Sequence, residues 1–167
     1  MFEPGSHFYD LERWEDLRPD SPHLWRTLGF RRTVWEPGRQ VVEWDAGPEY
    51  GFPTNAGHIV HGGMIATVLD TAMGGACWTL LNQEETFLTA DLRVEYFRSA
   101  RPGLLRAEGR VVRKARRVIF CTADLFQDDV LVAGARCTQI LLPAQGSAGR
   151  MHRSEEGSAS SSEDAGR

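Results

Sequence analysis

Only three cysteines, Cys77, Cys121 and Cys137, occur in the 167-residue sequence, an odd number, widely spaced and set among apolar neighbours. They suit buried thiols in a reducing compartment better than a disulfide framework or a CxxC metal site. No basic, apolar leader follows Met1, whose next residues are Phe-Glu-Pro-Gly, so the expected location is the cytoplasm. A phosphate loop of the GxGxxG kind is missing, which argues against ATP and NAD. No helix-turn-helix segment precedes Phe30, which argues against a DNA-linked sensor. Net charge is small, -4 with a pI near 5.7, and speaks against a dedicated nucleic-acid binder. The acidic tail, however, conceals a basic middle, so charge has to be read by segment. There is no internal repeat.

One long hydrophobic run is present, from Gly62 to Leu81, close to the roughly 20 residues that cross a bilayer core. A membrane span is nevertheless not expected. Asp70 would sit near the bilayer midplane at about 2.5 to 3.5 kcal/mol. Four glycines also interrupt the run, and the mean hydropathy of the chain is -0.36. The run predicts a helix buried on nearly all sides within one domain.

Three segments follow from composition. Residues 1–29 form an N-terminal extension in which Tyr9 to Leu17 predicts a short helix and Leu24, Trp25 and Leu28 a further turn. Residues 30–143 form the folded domain. Residues 144–167, Ser-, Gly- and acid-rich, bury too little surface to offset their chain entropy and are expected to be disordered. Within the domain, Phe30 to Trp35 and Gln40 to Ala46 flank Glu-Pro-Gly-Arg and predict a hairpin, whereas Gly47 to Val60 reads as a loop. Phe87 to Phe97 alternates as a half-buried strand, with Leu88, Ala90, Leu92, Val94 and Tyr96 on one face and Thr89, Asp91, Arg93 and Glu95 on the other. Three more strand-like runs, Leu105 to Val112, Val118 to Phe126 and Val130 to Leu142, complete a four-stranded meander. The expected architecture is α+β, one antiparallel sheet of about five to six strands wrapped around a long central helix. Gly74 and Gly75 would let sheet backbone or another helix approach closely.

Asp70 is the only formally charged residue between His61 and Glu84. An isolated carboxylate in an apolar helix costs several kcal/mol or gives up its charge, which marks it as a candidate for chemistry. Around it stand Asn55, Gly57, His61, Gly62 and Gly63, spaced Asn55-x-Gly57-x-x-x-His61-Gly62-Gly63-x-x-x-x-x-x-Asp70. With Thr89-Ala-Asp91 and Val130-Leu-Val-Ala-Gly-Ala135, this spacing resembles the phenylacetate-pathway (PaaI-like) branch of the hotdog-fold acyl-CoA thioesterases, over roughly Gly47 to Leu142. The resemblance implies a hotdog fold and hydrolysis of acyl-CoA without metal or organic cofactor. It also implies that Asp70 is nucleophile or general base and that the Gly62 N–H binds the thioester oxygen. His61 and Asn55 would orient thioester and water, Thr89 would help hold the water, and dimers would often pair into tetramers. Elementary chemistry agrees, since unpaired N–H groups at a helix start favour a developing oxyanion.

Helix geometry adds a constraint. Gly63 and Asp70 are seven residues apart, hence roughly 10 Å along one helix axis. Reacting groups must approach within about 3 to 3.5 Å, so the carboxylate serving this Gly pair is expected from a second copy of the chain. Cys77 lies about 24 Å along a straight helix from His61, too far for a Cys–His pair. His58 and His61 lack a third convergent ligand, so no metal is expected. The arginine-rich stretch that includes Arg93, Arg98, Arg113, Arg116 and Arg117 reads as a solvated strand face from which one or two members, with Gly63, could meet CoA and its phosphates. The chain departs from the family in lacking a Gly before Arg116 or Arg117. Two other readings of the same pocket are a non-catalytic acyl-CoA-binding regulatory protein and an acyl-CoA hydratase.

Overall fold

The computed structural model of the chain describes residues 23–82 and 84–143. The expected Tyr9–Leu17 helix and the tail from residue 144 lie outside them. A short helix, His23–Leu28, leads into β1 (Arg31–Glu36) and β2 (Arg39–Ala46), a hairpin turned at Gly38 with φ +72°. After a 3-10 turn at Pro48–Tyr50 come β3 (Gly51–Thr54), β4 (Gly57–Val60) and the central helix Gly62–Trp78. The chain then runs through β5 (Glu85–Tyr96), β6 (Gly103–Lys114), β7 (Val118–Gln127) and β8 (Val130–Pro143). All six long strands form one antiparallel sheet in the order β1-β2-β6-β7-β8-β5.

Two expectations require correction here. The segment from Gly47 to Val60 is not an irregular loop, because β3 and β4 pair as a separate small hairpin. Its strands of four residues are too short to show alternation, and Gly57 at φ +103° closes the turn with the Thr54 hydroxyl donating to the Gly57 carbonyl at 2.6 Å. The last four strands are likewise not a simple meander. Only β6, β7 and β8 follow one another, while β5 lies outside β8 at the sheet edge and the chain crosses to set β6 against β2.

The helix lies against the sheet through Ile65, Val68, Leu69, Ala72, Met73, Ala76 and Cys77, the i, i+3, i+4, i+7 spacing of one face. Trp44, Leu105, Ile119 and Leu125 from the strands complete this core with no exposed surface. The other helix face is only half-buried, with Gly63 exposed, so in the single chain the helix is less enclosed than the apolar run predicts. The residue that admits the helix backbone is on the sheet. A Cβ at Gly109 of β6 would lie 2.2 Å from the Ala72 carbonyl oxygen, whereas Gly74 and Gly75 face the Phe87 ring and the Gln40 side chain instead of sheet backbone. Gly109→Ala is therefore expected to lower stability by about 3 kcal/mol, since two backbones must separate to receive the methyl group. Urea unfolding checks this, and an unchanged midpoint would show that the helix can shift freely.

The expected two faces of β5 hold for only part of its length. Thr89 pairs with Gln139 and Asp91 with Thr138, so Ala90 is the extra residue of a β-bulge. On the C-terminal side Leu92, Val94 and Tyr96 pair with Cys137, Ala135 and Ala133 on the helix side, as the alternation predicts. On the N-terminal side the phase is reversed. Leu88 turns outward and is 63% exposed, while Thr89 turns toward the helix. The strand is less buried than expected, with Leu92, Tyr96 and the adjoining Phe97 also exposed.

Candidate active site

Both ends of the central helix are built locally, and the first end carries the His61-Gly62-Gly63 motif. His61 is the N-cap, extended at φ -63° and ψ 135°, and its Nδ1 accepts from the Gly63 N–H at 2.9 Å. That bond occupies one of the helix-start donors. The His61 carbonyl takes two more, from Met64 and Ile65. Gly62 N–H has no acceptor among the described residues, so it is the N–H left to meet a ligand oxygen. The Tyr96 hydroxyl donates to the Gly62 carbonyl at 2.8 Å and pins this turn to β5. His61, which the resemblance marks as orienting the thioester, is thus first a cap, one that occupies the Gly63 N–H and leaves the Gly62 N–H open.

Asp70 lies two turns further on, half-buried, with the Thr89 hydroxyl donating to its Oδ1 at 3.1 Å. Burial pushes its carboxyl above the ordinary value of 3.8, and the Thr89 hydrogen bond opposes that by favouring the ionised form. The pair opens on a cavity of about 240 Å³ walled by Trp25, Trp35, Trp78 and Phe87. Gly74 and Gly75 widen it, because neither carries a side chain on that helix face. Arg32 also lines it, its guanidinium 3.8 Å over the Trp35 ring and 5.4 Å from that of Trp25, with burial bringing its pKa down to about 10. Gln40 is fully buried in the wall, its Nε2 donating to the Thr71 carbonyl at 3.1 Å, and its Oε1 has no hydrogen-bond partner among the described residues.

The cavity lining contains Asp70 and Thr89 but none of Asn55, His61, Gly62 or Gly63. Asn55 sits exposed in the β3–β4 turn, its side chain making no hydrogen bond among the described residues. One chain therefore brings Asp70 and Thr89 together and leaves the other motif residues apart from them. Of the arginines, Arg93 pairs with Glu95 at 2.9 Å on the outer side of β5. Arg98, Arg113, Arg116 and Arg117 are exposed and form no ion pair among the described residues. None of the five lines the Asp70 cavity. The three thiols are free and buried. Burial pushes Cys77 up to about 12, and the hydrogen bond to Cys137, then burial, push Cys121 up, so these two are not poised as nucleophiles.

Tyr96, Gln40 and Gln139 touch the site without being marked by the motif. Gln139 had a legible signal, a polar residue at an inward place in the alternation Ala135, Cys137, Gln139, Leu141. Gln40 and Tyr96 had none, because their roles depend on which helix turn lies opposite.

No helix among the described residues is long and apolar enough to cross a membrane. Residues 57–138 match the model of the thioesterase superfamily. Over 97 residues the chain is 32% identical to the medium/long-chain acyl-CoA thioesterase YigI of Salmonella typhimurium, spanning 50% of this chain and 63%, under two thirds, of that protein. It is 29% identical over 105 residues to a Saccharolobus solfataricus protein named as an esterase, covering 63% of this chain and 72% of the other. A solved Ralstonia eutropha structure, named as a thioesterase and phenylacetic acid degradation-related protein, superposes with TM-score 0.69 at 27% identity, over 76% of this chain and 97% of that one. With a six-stranded antiparallel sheet and one long helix among the described residues, the chain has the hotdog fold, and residues 57–138 are a thioesterase-superfamily domain similar to solved PaaI-like thioesterases.

Proposed function

We propose that this chain hydrolyses acyl-CoA thioesters to the free acid and CoA at two equivalent sites, each shared between two copies. The observation that carries the reading is the Thr89–Asp70 pair facing an aromatic cavity while the free Gly62 N–H lies two turns away on the same helix. A two-fold partner would bring its own Gly62, His61 and Asn55 to this Asp70 and would cover the exposed edge of β5, whose unpaired backbone groups invite another strand. In such a site the thioester carbonyl oxygen accepts from Gly62 N–H, which stabilises the oxyanion as a nucleophile adds. Asp70 either removes a proton from water, which adds to the carbonyl, or adds to the carbonyl itself; the CoA sulfur then leaves and is protonated, and on the second route water opens the resulting Asp70–acyl anhydride to release the acid and restore the carboxylate. Neither route needs a metal or organic cofactor. The acyl group would occupy the Trp- and Phe-walled cavity, and CoA phosphates would lie toward exposed arginines such as Arg98, Arg113, Arg116 and Arg117.

The test is a panel of aryl-, medium- and long-chain acyl-CoAs incubated with the full chain, followed by thiol release and mass spectrometry. The expected result is one free thiol per acid formed, with an aryl or medium-chain substrate preferred. Acyl-CoA retained intact would make the protein a binder. A product heavier by one water with its thiol still blocked would make it a hydratase.

A further inference from the structure

Thr89 has one hydroxyl proton and two acceptors. Its Oγ1 lies 3.1 Å from Asp70 Oδ1 and 3.0 Å from Gln139 Oε1, and both cannot receive the same hydrogen. Gln139, directly across from Thr89 on β8, is fully buried, and its Nε2 donates to Cys137 Sγ at 3.2 Å. A half-turn of the carboxamide exchanges its oxygen and nitrogen without moving any other atom. In that second orientation Nε2 donates to Thr89, Thr89 donates to Asp70, and Oε1 accepts from the Cys137 thiol. Cys137 in turn accepts from Cys121, its opposite neighbour on β7. The donors then run in one direction, from Cys121 through Cys137, Gln139 and Thr89 to the carboxylate. In the first orientation Oε1 accepts from Thr89, which suits a protonated Asp70 that donates to Thr89.

We propose that Gln139 is a positioning residue for the hydrolysis, its carboxamide directing the Thr89 hydroxyl onto Asp70 when Asp70 is ionised and turning over when Asp70 is protonated. This rests on Asp70 being the reactive carboxylate of the proposed function. No fixed side chain satisfies both states of the pair. A lysine supplies only donors and a methionine only a weak acceptor, whereas a buried amide supplies one of each. Holding the Thr89 proton on Oδ1 leaves Oδ2 as the oxygen free to act on water or the thioester.

Among the described residues the titratable groups around Asp70 are Cys121 of β7 and Cys137 of β8, on which its charge acts, and Arg32 of β1 across the cavity, while Asp91 of β5 acts on Cys137; the proposed two-fold arrangement adds a His61 from the second copy. Differences between variants, and not a single pH limb, therefore carry the test. Profiles of kcat and kcat/KM against pH are compared for the wild type, Gln139→Met, Thr89→Val and the double variant. Each single change should lower kcat by about tenfold, the size of one hydrogen bond to a charged group, with little change in KM, and should move the acid limb to higher pH. The double variant should be no worse than Thr89→Val. Additive losses, or a wild-type limb in Gln139→Met, would overturn the proposal.

A second readout does not depend on how Gln139→Met folds. In the wild type the Gln139 side-chain amide resonances should move with pH at the midpoint of the acid limb, and in Asp70→Asn they should not move. Resonances indifferent to pH in the wild type would overturn the positioning role. Full activity of Asp70→Asn would instead overturn the hydrolytic reading on which it rests.

Discussion

Asp70→Asn is expected to lower kcat/KM for thioester hydrolysis by about 10²- to 10⁴-fold, the range for loss of a positioned acid–base group. The same variant is expected to be more stable than the wild type near neutral pH. Asp70 is half-buried in the apolar helix, and burial outweighs the Thr89 hydrogen bond, so the native carboxyl binds its proton more tightly than the unfolded one. Between the ordinary value of 3.8 and the native value the folded state therefore carries more protons, and its stability falls as pH rises through that window. Asparagine keeps the shape and still accepts from Thr89 but carries no charge to desolvate. The advantage of the variant should be absent below the ordinary carboxylate value and fully present above the native one. Melts across pH with parallel activity measurements check both halves. A variant that is active, or one that is less stable at neutral pH, would remove Asp70 from the role given to it.

Gly62→Pro is expected to lower kcat by about 10²- to 10³-fold, the effect of losing one oxyanion donor. Proline is well suited to this probe. Gly62 is the first helical residue, where proline is tolerated because its missing N–H would have no intrahelical partner. His61 before it already has the extended backbone that precedes proline. The nearest atoms to an added Cβ are those of the Tyr96 ring at 3.4 Å, an ordinary contact. What changes is one N–H. Mixing this variant with Asp70→Asn then tests the shared site. Each homodimer is defective, but in a heterodimer one site has both defects and the other has neither. Equal mixing should restore about a quarter of wild-type activity, because half the dimers are mixed and each has one intact site of two. No recovery after unfolding and refolding the two together would place both groups in sites of single chains.

Much of the fold was legible because its signals are local. The hairpin around Gly38, the central helix and the strands after Pro102 follow from turn residues, apolar runs and alternation, which depend on near neighbours. The Gly47–Val60 hairpin is not legible because four-residue strands are shorter than the pattern that reveals strands. The place of β5 at the sheet edge is not legible either, since strand order depends on pairings between segments far apart in the sequence.

At the site, the sequence by itself determined the chemistry on offer: an acid in an apolar helix, paired glycines at that helix's start, and too great a separation along its axis for the two to meet. Tertiary structure alone decided which hydroxyl reaches Asp70. Alternation puts Thr89 on the face opposite Leu92 and Val94, and the bulge at Ala90 reverses that phase so that Thr89 faces the helix. The bulge exists only in the pairing of β5 with β8, where one extra residue on β5 faces none on its partner, a property of the two strands together that neither sequence states alone. The same pairing sets Gln139 behind Thr89, so the environment of the carboxylate belongs to the sheet even though the carboxylate belongs to the helix.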